Sequence, residues 1–235
     1  MRDIVLSSGI APEKVFLIPI GINLDYFQPQ TPASRQQARQ TYDIPHSAVV
    51  IGSFQKDGVG WDAGNEPKLI KGPDVFLETI AILKNKIPEL FVLLSGPARG
   101  YVKAGLESLS VPYHHYQLDY YPQVSELFQA LDLYLVTSRQ EGGPKAVLES
   151  MASGIPLVTT RVGQAMDLVQ HGSNAWMVEV EEVEGLAYWA EYALTHTEVR
   201  DHAIQAGLQT AAANSYTAQI PLWQQFMTGF VDLPS

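Results

Sequence analysis

The sequence predicts an α/β fold in which helices cover both faces of a doubly wound parallel sheet. Short apolar runs bounded by turn residues alternate with helical segments, a pattern typical of parallel βαβ units. The chain has 235 residues, of which 46% are hydrophobic, and this is enough to build a core. Sheets of this class bind ligands beyond the carboxyl ends of their strands, so the predicted fold also indicates where a site would lie.

The predicted elements of the sheet layer alternate along the chain. Strands are predicted at 49–54, 90–95, 113–117, 133–137, 157–160 and 175–180. The helices between them are predicted at 74–86, 101–109, 123–131, 144–153 and 165–171. Gly154 is expected to cap the fourth of these helices, and Pro156 prevents its continuation.

Beyond residue 183 the pattern predicts helices alone, at 183–195, 198–215 and 219–230. The chain is therefore interpreted as one domain, with a core at about 15–195 and additional helices at 196–235. The apolar residues of the last helix are Ile220, Leu222, Trp223, Phe226, Met227 and Phe230. They either cover the core or meet a partner, which would be another domain or a second copy of the chain.

The acidic composition argues against some classes of function. A net charge of −10 does not suit a nucleic-acid surface, because phosphate binding needs clustered Lys and Arg. The chain has no cysteine, which excludes disulfides and thiolate metal sites and fits a cytoplasmic location. No signal-like segment opens the sequence, and no apolar run approaches the length of a membrane span. A peripheral membrane contact is expected only in a part that precedes this sequence.

The most informative segment is SRQEGGPKAVLE at 138–149, which places Glu141 and Glu149 eight positions apart around a strand-to-helix turn. Gly142 and Gly143 permit a tight turn, and Pro144 suits the first helical position. The free amides at the start of that helix favour anions. Two isolated glutamates are ordinarily solvated surface charges, so the interpretation as a ligand site depends on the rest of the chain.

Several motifs occur in an order that resembles a known enzyme family. They are VFLIPIGIN at 15–23 with FQP at 27–29, KGPD at 71–74, the E-x7-E spacing within 141–149, and MASGIPLV at 151–158. Together they resemble the donor-binding half of the GT-B glycosyltransferases, specifically the retaining enzymes of family 4. The resemblance covers nearly every segment and implies a Rossmann-like domain. It also implies metal-independent transfer of a hexose from a UDP- or GDP-sugar to a sugar, lipid or polysaccharide.

The resemblance implies roles for the residues of the turn. Glu149 would accept hydrogen bonds from the ribose hydroxyls, and Glu141 would accept them from the donor sugar. The backbone amides at Gly143 and Lys145 would face the hexose and the phosphates. Arg139 would either pair with Glu141 or touch a phosphate.

The departing diphosphate needs cations or amides, and the resemblance indicates which residues supply them. Lys71 matches the lysine of the family's "KG" motif. Ser53 stands where the family commonly has an arginine, so Lys56 is the nearest cation, although lysine lacks the bidentate fork of arginine. Gly21 and Gly52 would let the backbone approach the diphosphate, and Gly52 is expected at the carboxyl end of its strand.

Two further features concern the base and the access to the site. Gln117 and Leu118 end the third strand, where the family binds the base through backbone groups. The segment 55–69 lengthens the usual short connection to the KG motif and has the composition of a loop. It is interpreted either as a solvent loop or as a flap that closes over the donor, with Trp61 as the closing residue.

Other chemistries fit the sequence less well. His114 and His115 are adjacent on a predicted strand and would point to opposite faces, so a shared metal ion is not expected. The sequence has no Asp-x-Asp motif of the metal-dependent transferases and no glycine-rich nucleotide loop after the first strand. No cofactor is therefore predicted other than the nucleotide-sugar donor. The carboxylate pair of a glycosidase is also less suitable, because the turn favours phosphate.

The motif at 18–23 belongs near the interdomain junction in the resembled family. We therefore expect that the N-terminal, acceptor-binding domain is absent and that the chain is inactive without it. One alternative is a non-catalytic module or subunit that binds a nucleotide sugar. Another is a different GT-B activity, such as a nucleotide-sugar epimerase or, with less support, a phosphorylase. No side chain in the sequence indicates the base, the hexose, the acceptor or the linkage.

Overall fold

The computed structural model describes residues 2–228, and this part of the chain forms a parallel sheet in the order β3-β2-β1-β4-β5-β6. The strands are β1 (Val49–Phe54), β2 (Leu90–Ser95), β3 (Tyr113–Tyr116), β4 (Leu133–Val136), β5 (Leu157–Thr160) and β6 (Trp176–Val178). The predicted α/β fold is confirmed, and each strand lies where an apolar or aromatic run predicted it. The strand order reverses between β1 and β4, and a ligand crevice is expected at that switch point.

Helices cover both faces of the sheet. They are α1 (Arg2–Ser7), α2 (Pro32–Thr41), α3 (Pro73–Lys84), α4 (Gly100–Ser108), α5 (Val124–Phe128), α6 (Lys145–Ala152), α7 (Ala165–Leu168), α8 (Val183–Thr195), α9 (Thr197–Ala213) and α10 (Tyr216–Met227). One apolar cluster joins α3, α4 and α8 to the sheet, and a second joins α2, α5 and α6 to the other face. Gly154 caps α6 in a left-handed conformation (φ +67°), as predicted.

Helix α2 was not predicted from the sequence, because it contacts the sheet through a charged residue. Its segment PASRQQARQT is strongly polar and contains no large apolar residue. Arg39 is fully buried and donates to Asp132 at 2.6 Å and to the carbonyl oxygens of Ala130 and Ala48 at 3.1 and 2.8 Å. A buried arginine thus replaces the apolar stripe by which an amphipathic helix is normally recognised.

The C-terminal helices lie where they were predicted, with differences of a few residues at their ends, and α9 covers Thr197–Ala213 rather than 198–215. Helix α8 has the predicted bounds, whereas α10 begins at Tyr216 rather than at 219. It begins earlier because the hydroxyl of Ser215 accepts the Ala218 amide at 3.1 Å and caps the helix. The predicted apolar residue Phe230 lies outside the described residues. Within the described part of the chain, no helix has the length and apolar character needed to cross a membrane.

The N-terminal segment before α2 packs against the beginning of α10. The amide of Ile22 donates to Asn214 O at 3.1 Å, and the amide of Tyr216 donates back to Ile22 O at 3.0 Å. Phe16 and Phe226 form an edge-to-face ring pair with centroids 5.4 Å apart. Several large apolar residues of the two segments remain exposed, namely Phe16, Leu17, Ile20, Ile220, Leu222, Trp223 and Phe226. We call these residues the α10 face.

Candidate functional site

A cavity of about 890 Å³ opens beyond the carboxyl ends of β1 and β4, at the switch point of the sheet. Most of the predicted donor-site residues line it: Lys56, Lys71, Gln117, Leu118, Glu141, Gly143, Lys145 and Glu149. The fold therefore brings together residues from three connections that are distant in sequence. Their roles toward a donor stay predictions.

Glu141 and Lys71 form an ion pair inside the cavity. Lys71 Nζ lies 2.6 Å from Glu141 Oε1, and the same oxygen accepts a hydrogen bond from Ser138 Oγ at 2.8 Å. Both charged side chains are only partly exposed, whereas Ser138 is fully buried. Two donors thus fix one oxygen of the Glu141 carboxylate. No described residue hydrogen bonds to its other oxygen.

Gly72 allows Lys71 to reach this position. It adopts a left-handed conformation (φ +63°) between the 3-10 turn Leu69–Lys71 and α3, and a Cβ atom there would lie 1.9 Å from Thr137 O. The hydroxyl of Thr137 donates to Gly72 O at 2.9 Å. The KG turn is therefore pressed against the end of β4, directly before the loop that carries Glu141.

The turn at 142–144 is held from behind by Gln164. The amide of Gln164 donates to Gly142 O at 3.1 Å, and its side-chain Nε2 donates to Pro144 O at 3.3 Å. Pro144 was predicted at the first helical position. Helix α6 begins at Lys145 instead, so Pro144 lies one position before the first helical residue. The first turn of a helix leaves amides without intrahelical partners, and here that turn faces the cavity.

Glu149 lies deeper in the cavity than Glu141 and is only 5% exposed. The hydroxyl of Tyr121 donates to Glu149 Oε1, and Lys145 Nζ lies 4.7 Å from the centroid of the Tyr121 ring. Burial raises the pKa of Glu149 to about 7, and this outweighs the lowering effects of the Tyr121 hydrogen bond and the Lys145 charge. Glu149 is therefore a buried hydrogen-bond acceptor whose charge changes near neutral pH.

The segment 55–69 is anchored at its base and exposed at its tip. Its base is fixed by an ion pair between Asp57 and Arg99, which are both fully buried and lie 2.9 Å apart. Arg99 also donates to Ser53 O and Ser95 O at 2.6 and 2.8 Å, at the ends of β1 and β2. At the tip, Trp61 is 81% exposed and lines the cavity, with Lys56 Nζ 3.8 Å from the ring centroid.

Two predicted glycines do not lie in the cavity. Gly52 lies in the middle of β1 rather than at its carboxyl end, and a Cβ atom there would lie 2.4 Å from the Leu131 side chain. A Cβ atom on Gly21 would lie 2.6 Å from Gln219 Oε1 and 2.7 Å from the ring of Tyr216. Close packing explains both glycines, and the prediction that they let the backbone approach a diphosphate finds no support in their positions.

Arg139 was also placed wrongly by the sequence analysis. It donates to both carboxylate oxygens of Asp74 at 2.8 and 2.7 Å and to Glu181 at 2.5 Å, and it does not line the cavity. These hydrogen bonds raise the pKa of Arg139 and lower that of Asp74. The residue joins three connections at the edge of the site instead of pairing with Glu141.

The histidine pair is structural in its contacts. His114 Nδ1 is 3.0 Å from Tyr42 O, and His115 Nε2 is 2.7 Å from Gly96 O, on opposite faces of β3. In the described part of the chain, no group of three or more His, Asp or Glu side chains is placed to hold a metal ion.

Sequence reasoning missed Tyr121, Ser138, Gln164 and Arg99. Each acts through hydrogen bonds from a loop or a turn, and neither periodicity nor spacing indicates which way a loop residue points. The absence of arginine at position 53 pointed to Lys56, which does line the cavity, and gave no signal for Arg99. Arg99 lies beneath the cavity, where it donates to the carbonyl and the hydroxyl of Ser53.

Known proteins resemble the chain in sequence and in fold. The family model for glycosyl transferases group 1 matches residues 67–210. D-inositol 3-phosphate glycosyltransferase of Corynebacterium diphtheriae is 27% identical over 230 residues, covering 92% of this chain and 51% of the relative. D-inositol 3-phosphate glycosyltransferase 1 of Catenulispora acidiphila is 28% identical, with coverages of 90% and 51%. The chain thus spans about half the length of these curated relatives.

The fold matches GT-B glycosyltransferase structures. Anabaena HepE in complex with UDP and glucose has a TM-score of 0.78 at 20% identity, covering 99% of this chain and 61% of HepE. The C-terminal domain of a group 1 glycosyl transferase (LpcC) from Francisella tularensis has a TM-score of 0.67 at 18% identity, covering 82% of this chain and 97% of that domain. Because the family model matches more than half of the sequence, the chain belongs to the glycosyl transferases group 1 family.

Proposed function

We propose that the chain is the C-terminal, donor-binding domain of a retaining family 4 glycosyltransferase that transfers a hexose from UDP-sugar. The observation that carries the proposal is the single cavity at the switch point of the sheet. It combines a buried carboxylate, an ion-paired carboxylate, two lysines and the start of a helix. The buried carboxylate suits a ribose diol, the ion-paired carboxylate suits a sugar, and the lysines with the helix start suit a diphosphate.

The relatives support the assignment to a C-terminal domain. The chain covers 51% of a curated relative, and it aligns with nearly the whole of a separately solved C-terminal domain. A preceding acceptor-binding domain would complete the cleft and cover the α10 face. UDP is favoured over GDP because HepE was solved with UDP and with UDP-glucose. Nothing in the cavity indicates the acceptor, which would be a sugar, a lipid or a polysaccharide.

The cavity residues suit a transfer that requires no metal ion. Glu149 accepts the ribose hydroxyls, and the free oxygen of Glu141 accepts hydroxyls of the hexose. As the bond between the sugar and the diphosphate breaks, negative charge develops on the leaving phosphate. Lys71, Lys56 and the amides at the start of α6 stabilise that charge. The acceptor oxygen then bonds to the anomeric carbon on the face from which the diphosphate departs, and the leaving phosphate takes the proton of that hydroxyl, so the configuration at the sugar is retained.

Calorimetric titration with UDP, GDP and ADP tests the donor site directly. We expect UDP to bind, with the same affinity in EDTA and in Mg2+, and Glu149→Gln to weaken binding by about tenfold or more. Glu107→Gln is the matched control, because Glu107 accepts a tyrosine hydroxyl at the surface, remote from the cavity. If the folded chain binds none of the three nucleotides, the proposed function is wrong.

The alternative of a binding module without catalysis follows from the half-length of the chain. We expect transfer from UDP-hexose only when a preceding domain from a group 1 relative is supplied. Consumption of the UDP-sugar by this chain alone, with hydrolysis or epimerisation, would instead favour an epimerase-like activity. Nucleotide binding without turnover in every such mixture would favour the binding module.

A further inference from the structure

Tyr121 makes the one hydrogen bond that the Glu149 carboxylate has within the described residues. The tyrosine is 47% exposed, yet its hydroxyl reaches the deeply buried carboxylate, so the ring forms a wall of the cavity above Glu149. A tyrosine that served only the core would be covered on both faces. This one is half-exposed at the cavity and presents its hydroxyl to the buried carboxylate of Glu149.

The backbone and the ring of Tyr121 are both fixed. It begins the 3-10 turn Tyr121–Gln123 after β3, where the side-chain oxygen of Gln123 accepts the amides of Asp119 and Tyr120 at 2.9 and 3.3 Å. The ring packs against Phe27 at a centroid distance of 6.2 Å, and Lys145 Nζ lies over it. The hydroxyl is therefore held in place from the turn, from the N-terminal segment and from α6.

We propose that Tyr121 is a positioning residue of the donor site. Its hydroxyl fixes the Glu149 carboxylate in the orientation and ionised form that accept a ribose diol, and its ring limits the cavity beside the nucleoside. The proposal rests on the proposed function of Glu149 as the ribose ligand.

The number of hydrogen bonds that the Glu149 carboxylate can accept permits this role. An ionised carboxylate has about four acceptor positions, so one bond from Tyr121 leaves enough for both ribose hydroxyls. A hydroxyl that donates to the charged form favours ionisation, and this opposes the effect of burial. The titratable groups that face Glu149 are Tyr121 beside α5, Tyr134 on β4 and Lys145 on α6. Without the Tyr121 hydroxyl, Glu149 would ionise only at higher pH.

The test is the pH dependence of UDP binding to the Tyr121→Phe variant of the full chain, between pH 6.5 and 8.5. We expect the variant to bind UDP about tenfold more weakly than wild type at pH 7. The difference in affinity between variant and wild type should become smaller toward pH 8.5. Tyr113→Phe is the matched control, because Tyr113 donates to Glu107 at 2.7 Å outside the cavity. It should bind UDP as wild type does at every pH.

A second measurement separates positioning from general damage to the site. In a Glu149→Gln background the added Tyr121→Phe change should lose its pH-dependent effect, because no carboxylate is left to titrate. If the wild type binds UDP and Tyr121→Phe binds it with the same affinity and the same pH profile, the inference is overturned but the proposed function stays intact. A folded wild type that binds neither UDP nor GDP overturns both.

Discussion

Glu149 is costly to bury, and the cost is greatest when the carboxylate is ionised. Its pKa is raised by burial from a usual value near 4.5 to about 7 in the folded chain. A carboxyl group whose pKa is raised in the folded chain makes its full contribution to stability at pH values below its unfolded-state pKa. That contribution is lost as the pH rises through the folded-state pKa of about 7. The residue therefore lowers stability at the pH at which a donor would bind.

Replacing Glu149 by Gln should remove this pH-dependent loss. Between pH 5 and pH 8, the free energy of unfolding of the variant should gain about 3 kcal/mol relative to wild type. Urea denaturation at several pH values measures the difference. Glu107→Gln, at an exposed position, should show no such gain, and a flat difference for Glu149→Gln would contradict the burial argument.

Lys71 should contribute to binding through the diphosphate and not through the nucleoside. Lys71→Met should weaken UDP binding about tenfold and reduce its dependence on salt, while uridine binding changes little. The control is Lys68→Met, since Lys68 is exposed on the same segment and does not line the cavity. Equal losses for UDP and uridine would show that the substitution disturbs the whole site.

Three charged residues of the motifs lie together in the structure, as the sequence predicted, while their roles toward a donor stay predictions. Glu141, Glu149 and Lys71 line one cavity because their motifs follow the strands that meet at the switch point. Gly52 and Arg139 were misplaced for different reasons. A glycine in a strand equally serves packing, and an arginine next to an acidic loop finds the carboxylates that the fold brings to it.

At the scale of the elements, burial decided which predictions held. The residues of β2, β4, β5 and β6 are all buried, so their apolar runs indicated the strands directly. Helix α2 gave no such signal because Arg39 and Asp132 replace apolar contacts with an ion pair. The glycines of segment 55–69 predicted a loop. Its base is ordered by a second buried ion pair, between Asp57 and Arg99, which joins distant parts of the sequence.

The KG turn depends on Gly72 for both its conformation and its packing. Gly72→Ala forces a side chain into a left-handed backbone and against Thr137 O, so it should lower the free energy of unfolding by about 2–4 kcal/mol. Gly142→Ala is the control in the neighbouring turn, because nothing lies within 4 Å of a Cβ atom there. It should cost less than about 0.5 kcal/mol. Chemical denaturation of both variants makes the comparison, and equal losses would refute it.

The buried pair at the base of segment 55–69 should behave as a unit. Arg99→Met leaves Asp57 charged without a partner and should cost about 3–5 kcal/mol. Adding Asp57→Leu should recover part of that loss, because the second change removes the unpaired charge. Urea unfolding of the two single variants and the double variant gives the coupling energy. Additive losses would mean that the two side chains act independently.

At the scale of the whole molecule, the topology gathers the charged cavity residues at one edge of the sheet. The strand order opens a crevice between β1 and β4, and the connections after these strands carry the lysines and carboxylates of the cavity. The α10 face carries exposed apolar residues from both ends of the chain, and its Ile20 borders the cavity at Gly143. In a polypeptide of twice this length, as in the curated relatives, a second domain would be able to contact the cavity and the α10 face at the same time.

The α10 face should therefore cause the chain to self-associate when no other domain covers it. Contiguous exposed apolar surface of this kind favours association, although the net charge of −10 opposes it. Sedimentation at increasing protein concentration should show dimers in wild type and monomers in a Leu222→Gln, Trp223→Gln variant. Tyr188→Gln, which removes an exposed aromatic residue from α8, should leave the dimer intact. A preceding domain supplied separately should compete with the dimer, because both would occupy the same face. A wild type that stays monomeric at high concentration would show that this surface is tolerated in water and needs no partner.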